Sequence, residues 1–143
     1  MSRIRILLTT LVALGTLSGC NTIAGQPSIR EATIKPNELT PGGTALVTMA
    51  ISDKHGVVDR VEGVVQEDDR ITLKLRDDGE GPDETAGDNV WSLDVEVPPT
   101  APPGEFILEL TAFRSDGLPV QIRDKGGNVS TLSATVPLII RYE

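Results

Sequence analysis

From residue 29 onward, apolar side chains recur at every second position. Ala45, Val47, Met49 and Ile51 share one face, with Leu46, Thr48 and Ala50 on the other. Ile71, Leu73 and Leu75 alternate with Thr72, Lys74 and Arg76, and Trp91, Leu93, Val95 and Val97 with Ser92, Asp94 and Glu96. Phe106, Leu108, Leu110 and Ala112 form a further face; Leu132, Ala134, Val136, Leu138 and Ile140 form the last. A period of two marks strands with one buried side. Together with residues 29–34 and 57–65, the pattern predicts seven strands and no helix beyond residue 20. Turn chemistry punctuates them: Pro41-Gly42-Gly43, Lys54-His55-Gly56, Asp78-Gly79, the stretch 98–104, Asp116-Gly117 and Gly126-Gly127. The expectation is an all-β, seven-stranded antiparallel sandwich. Pro137 cannot donate to a ladder, so the last strand is expected at an edge or to carry a bulge.

The first twenty residues follow another rule. Arg3 and Arg5 precede an apolar run over 6–17, and Leu17-Ser18-Gly19-Cys20 follows. A basic start, a short apolar stretch and small residues make a secretory signal, and the run falls short of the roughly 20 residues that span a bilayer. With cysteine at the cleavage position, the segment resembles a bacterial lipoprotein signal peptide with its lipobox. That resemblance implies removal of residues 1–19, lipidation of Cys20 with palmitate-type acyl chains, and membrane attachment in the cell envelope. Asn21, rather than Asp, follows the cysteine; by resemblance to enterobacterial sorting this favours the outer membrane. Residues 20–28 then serve as a tether of about 25–30 Å when extended, and 29–143 form the sandwich.

Charge narrows the partners. The signal holds two of the 13 Lys and Arg residues and no acid, leaving 11 bases against all 21 acids. Such a surface has no footprint for a phosphate backbone, so no nucleic acid partner is expected. The lone cysteine is used by the anchor, which leaves no internal disulfide and no Cys/His metal set.

The acids gather in one place. Asp77, Asp78, Glu80, Asp83, Glu84 and Asp88 fall between Arg76 and Trp91, interrupted by glycines and a proline. Asp77-Asp78-Gly79, the run from Asp83 to Asp88 and the aromatic Trp91 resemble bacterial extracytoplasmic Ig-like or fibronectin type III-like modules. Pro102-Pro103-Gly104-Glu105-Phe106 and the 124–128 turn fit the same pattern. The resemblance implies the β-sandwich and leaves the task open, because such modules serve many. Two readings of the loop stand side by side. Asp77, Asp78, Asp83 and Asp88 could ligate calcium, which takes six to eight oxygens from a bent chain; alternatively, the acids build turns through their own backbone hydrogen bonds. The EF-hand spacing fails, since Gly79 and Pro82 occupy ligand positions.

In an alternating sandwich, the loops after the second, fourth and sixth strands gather at one end. The first strand starts there too, so the tether is expected beside the acids, with that end facing the membrane and divalent cations bridging it to anionic lipid. No catalytic constellation is legible. His55 is the only histidine, so a hydroxyl–imidazole–carboxylate triad has no freedom of placement. Few aromatics remain to wall a sugar cleft, which makes carbohydrate a poor partner. The expected function is a non-enzymatic envelope module with a structural or protein-binding role, its edge strand (the third or the last) open to strand addition. The alternative is a calcium-dependent adhesion or sensing module using the acidic loop.

Overall fold

A computed structural model of the chain describes residues 25–142; the signal segment and Cys20 lie outside the described residues. The described chain is all-β. Among the described residues no helix is long and apolar enough to cross a membrane.

Ten strands form where alternation predicts seven: β1 Ser28–Lys35, β2 Glu38–Leu39, β3 Thr44–Ser52, β4 Arg60–Val65, β5 Asp68–Lys74, β6 Val90–Glu96, β7 Gly104–Phe113, β8 Gln121–Arg123, β9 Val129–Thr131 and β10 Ser133–Ile140. The three additions, β2, β8 and β9, are two or three residues long. An alternation cannot be recognised over so short a run. One sheet is ordered β1-β3-β6 and a second β2-β10-β7-β4-β5, with β8-β9 a separate hairpin. Antiparallel pairing joins neighbours throughout, apart from the parallel contact of β2 with β10.

The apolar faces of both sheets feed one core. Val47, Met49 and Ile51 of β3, Val61 of β4, Leu108 and Leu110 of β7 and Val136 and Leu138 of β10 are buried together. Each such side chain contributes roughly 1.5–3 kcal/mol on leaving water. A bulge between Ile29 and Glu31 rephases β1, so that Ile29, Ala32 and Ile34 all reach this core despite their uneven spacing. Pro137 pairs with Ile107 on one side, while β2 flanks β10 only at Ile139 and Ile140. The missing N–H therefore falls where β10 has no second neighbour, although the strand is not the edge of its sheet as expected, because β2 lies beside its last residues.

Two expectations change. The strand over 57–65 is not an edge, because β4 lies between β7 and β5. The alternation at Ile71 and Leu73 does not produce full burial: Ile71 is 47% exposed, while Leu75 is buried. The reason is sheet width. Five strands face three, so the outermost apolar face of β5 has no strand opposite it.

Strand register fixes the ends. Ser28 at the start of β1 lies opposite Ser52 at the end of β3, Val90 opposite Ala50, and Arg60 opposite Phe113. The segments 53–59, 75–89 and 114–132 thus share the end at which β1 begins. Gln26 is docked there through two hydrogen bonds to the backbone of Arg123, at 2.8 and 2.9 Å. Gly25 sits against the His55 ring so closely that a Cβ would come within 2.5 Å of Nε2.

Candidate cation site in the acidic loop

The segment from Leu75 to Asn89 leaves the five-stranded sheet and enters the three-stranded one. Arg76 makes that crossing, exchanging two backbone hydrogen bonds with Ser92 of β6 at 2.8 and 2.9 Å. The chain then coils back, with the Gly87 amide on the Asp77 carbonyl at 3.0 Å. Two positions demand left-handed backbone. Gly79 has φ 75°, and a Cβ there would press on Ala86 at 3.1 Å. Asn89 has φ 60° and is the only non-glycine residue with positive φ among the described residues; asparagine tolerates this region better than most.

Within this coil five of the six carboxylates divide into two groups, and Glu84 stays exposed outside both. The Arg76 guanidinium holds Asp78 and Glu80, both at 2.7 Å. That cation lowers the pKa of Asp78 from the ordinary carboxylate range, and Asp78 raises that of Arg76 in turn. Asp77, Asp83 and Asp88 form the other group, each offering a carboxylate oxygen, all within 4.8 Å of one another. No ion pair among the described residues includes any of the three. Asp83 is 3% exposed.

Each of the three spends one oxygen on the loop itself. Asp77 Oδ2 accepts the Asn89 amide at 3.1 Å, Asp83 Oδ2 the Gly79 amide at 2.8 Å, and Asp88 Oδ1 the Val90 amide at 3.0 Å. The turn-building reading is therefore correct as far as it goes. It also explains Asp53, which accepts the Val57 and Val58 amides, and Asp124, which accepts that of Asn128. It does not account for Asp77 Oδ1, which is buried with no hydrogen-bond partner. Burial raises the Asp77 pKa to about 6, assisted by the Asp88 carboxyl beside it and opposed by the Asn89 amide.

The electrostatics follow. Two like charges this close cost roughly 3 kcal/mol near a protein surface, less where Asp88 meets water. A proton on Asp77 or a cation among the three relieves that cost. Calcium suits the chemistry, since its ligands are hard oxygens from carboxylates, carbonyls and water in adaptable geometry. The geometry thus brings together three of the four aspartates predicted as ligands. Asp78 stands with Arg76 instead. The sequence carries the signal for that: a guanidinium two residues before an aspartate on an extended chain shares its side of the backbone.

No family model and no curated protein matches the chain. Solved structures with a similar course include the endo-beta-1,4-mannanase from Thermotoga petrophila, at 11% identity and TM-score 0.48 over 82% of this chain and 20% of that one. The Pseudomonas fluorescens alkylpurine DNA glycosylase AlkC is similar at 11% identity and TM-score 0.49, over 82% of this chain and 31% of that one. A Niemann-Pick type C2 protein from Japanese carpenter ant is similar at 11% identity and TM-score 0.45, over 85% and 96%. This chain therefore spans about a fifth of the mannanase and a third of the glycosylase.

Proposed function

We propose that this protein is a non-catalytic, lipid-anchored module of the cell envelope, with an Ig-like or fibronectin type III-like sandwich whose membrane-facing loop end is organised by a calcium ion. Its role is to hold or present a binding surface near the membrane. The sheet orders support the fold assignment: the first, second and fifth long strands form one sheet, and the third, sixth and seventh belong to the other. The fourth long strand pairs with the third rather than joining the first sheet. Cys20 carries the lipid in this reading, and β1 starts at the acidic end, so the anchor and the cation site share one side of the domain.

One observation carries the cation assignment. Asp77, Asp83 and Asp88 converge without a counter-charge, and Asp77 Oδ1 is buried unpaired. Residues 28–140 contain every strand and the whole buried core among the described residues, so the 21–143 chain is a sound test object. Its thermal melt is compared in EDTA and in 1 mM calcium or magnesium. A site with Kd near 10 μM adds about 2.7 kcal/mol, a shift of several degrees. The shift should vanish in Asp83→Asn. Identical melts in EDTA and calcium would overturn the assignment. Lipidation is checked separately, by mass spectrometry of the membrane-extracted protein and of Cys20→Ala.

A further inference from the structure

The mismatch of five strands against three leaves a gap between β5 and β6, at the end of the domain away from the acidic loop. An apolar cavity of about 460 Å³ opens there, its walls including Ile71, Leu73, Val95, Val97, Phe106 and Leu108. The volume lies within the range of ligand sites, about 300–1,000 Å³. Leu108 at its base is buried, while Ile71 at its mouth is 47% exposed.

The backbone beside the cavity is also unsatisfied. In β6, Ser92 bonds to Arg76 on the side away from β3, whereas Val97, one residue past the end of β6, bonds to Gly43, one residue before β3, on the β3 side. Even-numbered residues of β6 therefore aim their N–H and C=O groups away from β3. Arg76 takes those of Ser92. Those of Asp94 and Glu96 have no backbone partner among the described residues. An exposed edge of this kind templates another strand.

We infer that a peptide strand from a partner docks antiparallel to β6 over Leu93–Val97, with alternate apolar side chains filling the cavity and basic residues between them. The pleat dictates the alternation, because every second residue of an added strand faces the gap. Charge dictates the rest. The outward side chains it meets are Asp94 and Glu96, both exposed, and opposite charges on adjacent strands attract while like charges repel. The same acids disfavour a second copy of this chain, whose own β6 would present Asp94 and Glu96 against them. This binding surface deepens the proposed role without depending on the cation.

The test uses the 21–143 chain and a synthetic eight-residue peptide alternating valine and lysine. Amide hydrogen exchange is read at Asp94 and Glu96, and affinity by titration. Binding should slow exchange at both amides at least tenfold. Glu96→Pro removes only an outward N–H and leaves the β3 ladder intact, so it should weaken binding about five- to tenfold. A valine–glutamate peptide should not bind. Unchanged exchange at Asp94 and Glu96 would overturn the inference. So would Glu96→Pro binding as tightly as wild type, or dodecylamine perturbing Ile71 and Leu73 while the peptide does not, which would make the cavity a site for alkyl chains. Calcium and EDTA should give the same affinity, which separates this surface from the acidic loop.

Discussion

Asp77→Asn should stabilise the protein in EDTA and destabilise it in calcium. In wild type without a cation, the Asp77 pKa is raised from 3.8 to about 6. The folded state then holds its proton more tightly than the unfolded chain. Stability from this group is intact below about pH 4 and is lost as pH rises through 6. Two units at 1.36 kcal/mol each set a ceiling of about 3 kcal/mol, and water at this partly open loop reduces it to roughly 1–2. Asparagine keeps the oxygen that accepts the Asn89 amide and offers an NH₂ to the neighbouring carboxylates. Its expected gain at pH 7 in EDTA is a Tm rise of about 4–8 °C, at roughly 4 °C per kcal/mol for this size. At pH 4 the two proteins should melt together. Saturating calcium reverses the order at pH 7, because the wild type gains about 2.7 kcal/mol at a hundredfold excess over Kd and the variant has lost a ligand. The single tryptophan, Trp91, is the second residue of β6, two after Asn89, and gives a fluorescence readout of the same melts. An Asp77→Asn protein less stable than wild type by the same amount in EDTA at pH 4 and pH 7 would refute the repulsion argument.

Asp78→Asn serves as the contrast: its partner is the exposed Arg76, so calcium should still shift the melt, and the melt in EDTA should barely move. Met49→Ala, at a fully buried position, should cost about 2–5 kcal/mol by denaturant melt, whereas Ile71→Ala, half exposed in the same alternating pattern, should cost under about 1.5 kcal/mol. Equal losses would mean that the gap beside β5 is closed in solution. Gln26→Ala removes both hydrogen bonds to Arg123; limited proteolysis should then cut within residues 21–28 several-fold faster, with the core melt displaced by about 1 kcal/mol or less.

Much of this architecture was legible because burial on one face writes a period of two into the chain. Val47, Met49 and Ile51 announce β3, and Leu108, Leu110 and Ala112 announce β7. Alternation reports that a face is apolar without reporting what covers it, which is why Ile71 and Leu73 read as core. Which neighbour a strand takes is a property of the whole sheet, so the interior place of β4 had no local signal. In the acidic loop, composition found the carboxylates, but pairing sorted them. Asp77 and Asp78 are adjacent and chemically identical; their backbone orientations send one inward to Asp83 and Asp88 and the other outward to Arg76. The clamp of Gln26 on Arg123 joins residues 97 apart in sequence, beyond the reach of any pattern.

The first fourteen described residues or so act as a strap across the whole molecule. After pairing along β3, the chain crosses at Pro36 and lies beside β10, so one segment engages both sheets. Tension applied at Gly25 would therefore pull β1 along its own axis. The load would fall on its paired residues, from Ser28 to Lys35, in shear rather than one after another as in unzipping. In the lipid-anchored arrangement proposed above, a pull at this end would load β1 along its length, the direction in which its pairing with β3 resists best.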